Sequence, residues 1–354
     1  MASTQPRTRL LTGSLLVTAA LAAATLVLPT GFVVRGPGPT EDTLGAQNDV
    51  PLVEITGADT YPGSGELLLT TVSVGGGPVS DVFAADVLYA WASPQRAVLP
   101  TEAVFAVGTT REQQQQQSQL QMTTSQQSAT AAALTELGFE VPATLTIEGA
   151  VTGSPADGVV EQGDVIRTLN GEAVTSHGDL LSDLAKVTPG DDVVLGVERD
   201  GVSKDLAVTT SDGTTPDGGR RAALNVFVSS QFDFPIDVSI RIDDIGGPSA
   251  GMMFALAIID RLTPEDELDG QVVAGTGTID VDGVVGPIGG IEQKMHGALR
   301  DGAGWFLAPE ANCDEVVGNV PDGLRVVEVS TLAQARDAII AIGAGDGDAL
   351  PTCS

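Results

Sequence analysis

The chain opens with an apolar segment that carries no charge over residues 10–34, with two arginines shortly before it and Arg35 directly after it. A segment of about 25 uncharged residues is long enough to cross the hydrocarbon layer of a bilayer. The leading arginines favour a cytoplasmic N-terminus, so residues 1–35 are predicted to form a cytoplasmic tip and a transmembrane anchor. The alternative is a cleaved signal peptide, because Ala22-Ala23-Ala24 offers a small-residue cleavage site. Both interpretations place the rest of the chain outside the cytoplasm.

After this segment the pattern changes to a polar stretch rich in Pro and Gly, which predicts a linker over residues 36–48. Runs of β-forming residues at 50–55 and 67–74 predict strands. Residues 112–133 are rich in Gln and Ala, which predicts a solvated helix. We therefore expect residues 49–140 to form an α/β region that packs against the domains that follow.

Residues 141–212 have the pattern of a small β-rich module. Ser154-Pro155-Ala156 precedes a turn at Gly163-Asp164 and a tight hairpin turn at Asn170-Gly171, which requires positive φ. This order of motifs resembles a PDZ domain of the bacterial protease type. The resemblance implies a domain that binds extended peptide ends by adding them as a strand to its sheet edge. The loop that would hold the peptide carboxylate is expected within residues 141–146.

A second pattern begins with residues 234–242, where apolar and polar residues alternate as in a half-buried strand. The strand leads into Gly246-Gly247-Pro248-Ser249, and an apolar helix begins near Met252. Ser249 is therefore predicted to lie on a glycine-rich corner at a helix N-terminus. Unpaired backbone N–H groups at such a position can stabilise an oxyanion. Glycine-rich helix entries are common, so this corner alone does not identify a nucleophile.

A candidate base lies 45 residues further along. A strand-like run at 272–277, a hairpin at Asp282-Gly283 and a glycine-rich loop at 286–290 lead into a helix that carries Lys294 among apolar neighbours. A lysine accepts a proton only if desolvation lowers its pKa from about 10.4. A serine activated by such a lysine needs no histidine. His296 is two positions from Lys294 and is predicted to face elsewhere on the helix; if it served Ser249 instead, Lys294 would be structural.

These motifs have a close counterpart in a known family. The string GGPSAG, then TGTIDVDGVVGPIGGIEQK, then GAGWFLAPEAN resembles the proteolytic domain of Lon, a Ser–Lys peptidase, over residues 225–342. The resemblance implies Ser249 as nucleophile, Lys294 as general base and Thr276 as hydrogen-bond partner of the lysine. Gly247 is expected to support the oxyanion through its backbone N–H. Together, the anchor, the PDZ module and the Lon-type domain resemble membrane-anchored PDZ–Lon peptidases of Gram-positive bacteria.

The sequence departs from Lon in two respects. Lon has an acidic residue three positions before the serine, where this chain has Gly246; Asp243 and Asp244 lie nearby without an assignable role. The ATPase module of Lon is not matched, and the sequence contains no Gly-Lys pair, so it has no Walker A loop. ATP-driven degradation of folded proteins is therefore not expected, whereas peptide hydrolysis is.

Composition narrows the choice of partners. The chain has 17 basic and 47 acidic residues, a formal net charge of −30, which repels phosphate backbones and excludes nucleic acid as an expected partner. The two cysteines, Cys313 and Cys353, are predicted to form a disulfide outside the cytoplasm, with two unpaired thiols as the alternative. Residues 343–354 are predicted to form a flexible tail.

The sequence thus predicts an α+β protein with a transmembrane helix, a β-rich PDZ-like domain and a Lon-type α/β proteolytic domain. The expected activity is ATP-independent hydrolysis of extracytoplasmic proteins or peptides by Ser249 and Lys294, supported by Thr276 and Gly247. No metal or organic cofactor is expected, and the sequence leaves a homo-oligomer open. The rival hypothesis is a catalytically inert PDZ adaptor at the membrane. Labelling by a fluorophosphonate that requires Ser249 would separate the two.

Overall fold

A computed structural model of the chain describes residues 5–47, 49–214, 220–242 and 245–354, with only the backbone of residues 5–12, 22 and 214. Its helices are α1 (Gln5–Leu26), α2 (Ala84–Trp91), α3 (Thr101–Val104), α4 (Arg111–Glu136), α5 (His177–Leu184), α6 (Gly251–Leu262), α7 (Ile291–Arg300), α8 (Cys313–Val316) and α9 (Leu332–Gly343), with short 3-10 turns at Glu310–Asn312 and Gly347–Ala349.

The strands are, in chain order, β1 (Phe32–Asp42), β2 (Ala46–Gln47), β3 (Val50–Pro51), β4 (Val53–Thr56), β5 (Glu66–Gly75), β6 (Ala97–Pro100), β7 (Ala143–Ala150), β8 (Val165–Leu169), β9 (Glu172–Ala173), β10 (Asp192–Arg199), β11 (Val202–Thr209), β12 (Ser211–Thr214), β13 (Arg220–Ala223), β14 (Val226–Phe232), β15 (Asp237–Ile240), β16 (Val272–Gly275), β17 (Thr278–Ile279), β18 (Val285–Gly286), β19 (Trp305–Pro309) and β20 (Arg325–Val329).

The chain outside the PDZ-like module forms a larger unit, which is built on a mixed sheet with the order β20-β19-β16-β5-β1-β6. Strands β20, β19, β16 and β5 run parallel, whereas β1 pairs antiparallel with both β5 and β6. Because side chains alternate across a strand, Leu67 and Leu69 enter the core on one face of the sheet and Leu68 enters the core on the other. The carboxyl end of β16 therefore lies inside a three-layer unit.

Helices cover both faces of this sheet. On one face, α6 packs among α4, α9 and β5, and ten of its twelve residues are buried because neighbours enclose it on every side. On the other face, α7 packs against β1, β5 and β19, where Met295 and Phe306 share one apolar cluster, and α8 packs against α7. Helices α6 and α7 therefore lie on opposite faces of the sheet, in which β16 is a central strand.

The PDZ-like module forms a separate sheet with the order β11-β10-β8-β7-β14. Asn170 and Gly171 have the positive φ that the sequence predicts for their hairpin turn. The module is inserted between two parts of the larger unit, and its two ends meet where the Asp233 N–H donates to the Pro142 carbonyl over 2.8 Å. Its sheet therefore extends to residue 232, beyond the predicted boundary at 212.

The carboxylate-binding loop was expected within residues 141–146, and the structure corrects this expectation. Residues 143–146 lie in β7, which pairs with β14 along one edge and with β8 along the other. A strand with both edges paired has no backbone groups left for an added peptide. The unpaired edge of the described sheet on this side belongs to β14 instead.

The N-terminal region also differs from expectation. Residues 36–42, predicted to be linker, belong to β1, and its proline-rich part is accommodated by a register shift between Pro37 and Thr40. The uncharged segment is divided, since α1 ends at Leu26 and residues 32–34 already pair in the sheet. In the part of the chain that the structure describes, no helix meets the combined length and hydropathy needed to cross a membrane.

The C-terminal segment, predicted to be a flexible tail, is tied to the larger unit. Cys313 and Cys353 form a disulfide, which confirms the predicted pairing. The Glu328 N–H also donates to the Pro351 carbonyl over 3.1 Å. A covalent link and a backbone hydrogen bond together hold the end of the chain beside β20.

Candidate active site

The corner that carries Ser249 is shaped by its contacts with the glutamine-rich helix α4. The Ser118 carbonyl accepts a hydrogen bond from the Gly247 N–H over 3.1 Å, and the Ser125 hydroxyl donates to the Pro248 carbonyl over 3.0 Å. Gly247 has a φ of +91°, a conformation that side chains rarely adopt. These contacts fix the loop so that Ser249 lies two residues before α6.

The start of α7 depends on a second glycine. Gly290 has a φ of +75° and is seated so closely on the sheet that a Cβ there would lie 2.8 Å from Val72 Cγ1. Its carbonyl accepts the Lys294 N–H over 3.1 Å, which is the first turn of the helix. Because Lys294 follows one turn later on the inner face of α7, its side chain reaches beyond the end of β16.

Three predicted residues meet at that point. Lys294 Nζ lies 2.9 Å from Ser249 Oγ and 2.7 Å from Thr276 Oγ1. The Thr276 hydroxyl donates to the Ser249 carbonyl over 2.9 Å, so its oxygen is left to accept a hydrogen bond from the amine. Thr276 directly follows β16 and therefore ties the lysine to the backbone of the nucleophile. The structure brings Ser249, Lys294 and Thr276 together as the sequence predicts.

The environment of Lys294 favours a neutral amine. Lys294 is only 2% exposed and is one of the largest fully buried side chains among the described residues, and Thr276 is fully buried. Desolvation and, as the smaller cause, the nearby charge of Arg35 together lower the pKa of Lys294 to about 7. Near neutral pH, a large fraction of the amine can therefore accept a proton from the Ser249 hydroxyl.

The backbone donors near Ser249 differ from the prediction. Gly247 was expected to hold an oxyanion, but its N–H is already paired with the Ser118 carbonyl. By contrast, the N–H groups of Ser249 and Ala250 donate no hydrogen bond to any residue that the structure describes. They precede the first turn of α6, where the partial positive charge of a helix N-terminus adds to their effect. The free donors are therefore two and three residues further along than Gly247.

Ser249 and Lys294 line a cleft of about 330 Å³. The cleft is lined by the β5 residues 70–73 and by residues 245–247, 249 and 250 of the serine corner. Strand β16 pairs with β5 only as far as Leu69, so the cleft begins where this pairing ends. The wall at 70–73 therefore offers extended backbone beside the serine.

Other residues considered in the sequence lie elsewhere. His296 is half-buried on another part of α7, and Ser249 Oγ contacts Lys294 rather than this histidine. His177 is the first residue of α5, and its Nδ1 lies 3.3 Å from Asp282 Oδ1, which links the PDZ module to the hairpin between β17 and β18. Asp243 and Asp244 are outside the described residues.

Three residues near the site were not predicted from the sequence. Ser118 and Ser125 lie in a helix whose polar residues predicted only solvation, and their contacts with the serine corner span more than 120 positions of sequence. Arg35 was considered only as the charge that ends an apolar segment. A solitary arginine or serine carries no motif, so no sequence signal marked these residues.

One group of three possible metal ligands occurs in the described part of the chain. Only Cys313, Glu328 and Cys353 are close enough to share an ion there. The two cysteines form the disulfide, so their sulfur atoms cannot bind metal as thiolates.

Comparison with known proteins agrees with both domains. Residues 120–210 match the PDZ domain family, and residues 235–341 match the Lon protease (S16) C-terminal proteolytic domain. The archaeal Lon protease of Archaeoglobus fulgidus is 27% identical over 199 residues, covering 52% of this chain and 30% of that protein. Lon protease 2 of Bacillus subtilis is 33% identical over 113 residues, covering 30% of this chain and 20% of that protein. The chain thus spans less than a third of the length of these relatives.

Among solved structures, the PDZ domain of an SdrC-like protein from Listeria innocua is 15% identical, with a TM-score of 0.21 over 24% of this chain and 92% of that one. The sequence matches give the chain a PDZ domain followed by a Lon-type proteolytic domain, the domain composition of a PDZ–Lon-type serine peptidase.

Proposed function

We propose that this protein is an ATP-independent serine endopeptidase that cleaves peptide bonds through Ser249 and Lys294. The observation that carries the proposal is the 2.9 Å contact between Ser249 Oγ and an amine that is almost fully buried. A buried lysine without a carboxylate partner is costly to a fold in its charged form, and strongly perturbed lysines are concentrated at functional sites. Here the serine within hydrogen-bond reach gives the neutral amine a proton to accept.

The first half of the reaction forms an acyl-enzyme. Ser249 Oγ attacks the carbonyl carbon of the substrate while its proton moves to the neutral Nζ of Lys294. The N–H groups of Ser249 and Ala250 then stabilise the negative charge on the carbonyl oxygen. The protonated lysine returns the proton to the leaving nitrogen, and the C–N bond breaks.

The second half releases the acyl group. Lys294, neutral again, takes a proton from a water molecule that attacks the ester carbon. The lysine then returns this proton to Ser249 Oγ as the ester bond breaks, and a carboxylic acid leaves. Thr276 keeps Nζ in place throughout, since its hydroxyl joins the amine to the Ser249 carbonyl.

The substrates in this proposal are proteins or peptides in extended form. A strand laid beside residues 70–73 of β5 would bring a peptide carbonyl to Ser249, because unpaired strand edges bind extended chains. The outer edge of β14 offers a second place for strand addition in the PDZ module, where Phe227 is 60% exposed. A peptide bound there would raise the local concentration of substrate near the cleft.

We also propose that the protein works outside the cytoplasm, held at the membrane by its N-terminal segment. The support is the uncharged stretch at 10–34, the exposure of Leu15 and Leu16 on α1, and the disulfide, which is typical of oxidising compartments. Fractionation of cells that express the full chain, followed by protease protection of intact spheroplasts, would test it. A soluble, protected protein would contradict this part of the proposal.

The catalytic proposal is tested with the purified full chain and an unstructured protein substrate, without nucleotide. Wild-type protein should generate new peptide ends, and Ser249→Ala should generate none. The matched control is Ser239→Ala, in strand β15 outside the cleft. Equal hydrolysis by wild type and Ser249→Ala would contradict the proposal, and absence of hydrolysis in both would favour an inert adaptor.

The role of the PDZ module is tested by excision. Because Pro142 and Asp233 are hydrogen-bonded, residues 143–232 can be replaced by a short Gly-Ser linker without pulling these ends apart. The shortened chain should retain hydrolysis of short peptides and lose much of its kcat/KM for protein substrates. An equal loss for both substrates would mean that the module is needed to assemble the active site.

A further inference from the structure

Arg35 lies on β1, opposite Val74 of β5, on the face of the sheet that α7 covers. Its side chain runs beneath the glycine-rich loop that leads into α7. A Cβ on Gly290 would lie 2.9 Å from Arg35 Cδ, and one on Gly289 would lie 3.6 Å from Arg35 Nη1. The missing side chains at both glycines make room for the arginine, and Gly289 also lines the catalytic cleft.

The half-buried Arg35 side chain has no acidic partner among the described residues. Its Nε is buried without a hydrogen-bond partner. The chain has 47 acidic residues against 17 basic ones, so acidic partners are abundant. Arg35 as a whole is half-buried, but buried polar atoms in proteins are ordinarily hydrogen-bonded, so an unpartnered Nε on an arginine beside an active site is unusual.

The charged surroundings of Lys294 are otherwise sparse. The titratable or charged groups on α7 and on the elements packed against it are Glu292, His296 and Arg300 of α7, Arg35, Glu41 and Asp42 of β1, Glu66 of β5, and Asp314 and Glu315 of α8. Among these, Arg35 is the group whose charge affects the pKa of Lys294, and it lowers it. A carboxylate paired with Arg35 would cancel that effect.

Resting on the proposed Ser–Lys chemistry, we propose that Arg35 is a positioning residue of the dyad. Its guanidinium, set against Gly289 and Gly290 at the start of α7, holds the Lys294 amine in its neutral, proton-accepting form. The positive charge repels a second positive charge on Nζ, and no acidic side chain paired with Arg35 in the described ranges offsets this repulsion. Arg35 thus acts on the reaction through Lys294 and does not need to contact the substrate.

The test compares Arg35→Gln, which removes the charge, with Arg35→Lys, which keeps it. In Arg35→Gln the acid limb of the kcat/KM profile should move up by about one pH unit, which is about a tenfold loss of kcat/KM on the acid side. Above the limb, kcat/KM should return to the wild-type plateau. Arg35→Lys should restore the wild-type limb. The matched control is Arg96→Gln, since Arg96 lies near Gly36 of the same strand but is stacked on Tyr89.

A second readout does not depend on activity. The chain has only three lysines, Lys186, Lys204 and Lys294, so NMR of protein labelled at lysine Cε can follow the titration of each one. In the Ser249→Ala background, the Lys294 titration should move to higher pH with Arg35→Gln and not with Arg96→Gln. An unchanged Lys294 titration, or a plateau that falls equally at every pH, would overturn the role of Arg35. If wild-type protein hydrolysed no substrate, the proposed function would be overturned, but the titration of Lys294 would still test the role of Arg35.

Discussion

Replacing Lys294 with methionine should make the folded protein more stable, and the gain should depend on pH. In the folded chain the pKa of Lys294 is lowered to about 7 from the ordinary 10.5 of lysine. Between these values the unfolded chain binds more protons than the folded one, so the free energy of unfolding rises with pH across this window. At 1.36 kcal/mol per pKa unit, the buried lysine costs about 5 kcal/mol at pH 6 and about 1.5 kcal/mol at pH 9.5.

Methionine has a similar length and needs no hydrogen bond, although it leaves the hydroxyls of Ser249 and Thr276 without the amine. That loss subtracts about 1–2 kcal/mol at every pH and leaves the pH dependence intact. Urea unfolding of both proteins at pH 6 and pH 9.5, with the disulfide intact, measures the difference. The advantage of Lys294→Met should shrink by about 3 kcal/mol between the two pH values. A constant difference between the two proteins would refute a depressed pKa for Lys294.

Three further predictions follow from other parts of the structure. Thr276→Val removes the hydroxyl but keeps a side chain of similar shape, and it should lower kcat about tenfold or more because the amine loses the partner that orients it. An unchanged kcat would show that Thr276 is dispensable. Cys353→Ser opens a link across 40 positions and should lower the free energy of unfolding by about 4 kcal/mol, with dithiothreitol producing the same loss in wild type and none in the variant. Asp260 is buried with both carboxylate oxygens unpartnered, and desolvation raises its pKa to about 6, so its contribution to stability falls as pH rises from about 4 to 6. Asp260→Asn should therefore raise the melting temperature at pH 8 and leave it nearly unchanged at pH 4. Equal shifts at both pH values would contradict a raised pKa for Asp260.

The dyad was predictable because the local patterns around its two residues also match motifs of Lon, whereas the glycine-rich corner alone does not identify a nucleophile. Ser249 sits on a glycine-rich corner and Lys294 sits one turn into an apolar helix, and both patterns depend on residues close in sequence. Thr276 was predictable from the resemblance to Lon, since a lone threonine after a strand has no signature of its own. The disulfide followed from the number of cysteines and the expected compartment.

The course of β1 was not predictable in the same way. Residues 32–34 continue an apolar segment, and residues 36–42 are rich in proline and glycine, so local pattern divides this strand between an anchor and a linker. The strand exists because it pairs with β5 and β6, which lie more than 25 positions away along the chain. Arg35 acquires its position only through that pairing.

The backbone donors of the site were also beyond the sequence. Gly247 has the expected glycine conformation, but its N–H is taken by a helix that is more than 120 positions earlier in the chain. Long-range contacts of this kind decide which backbone groups remain free. The edges of β7 show the same effect, because β14 occupies the edge that the sequence offered to a peptide.

The central claim is that Lys294 removes the proton from Ser249, and a fluorophosphonate tests it most directly. The rate of adduct formation, with the modified residue located by peptide mass mapping, is measured in wild type, Lys294→Arg and Lys294→Met. The account predicts an adduct on Ser249 in wild type, with a rate that rises with pH around 7, and none in either variant at the same probe concentration. Modification of Ser249 at the wild-type rate in folded Lys294→Met would contradict it.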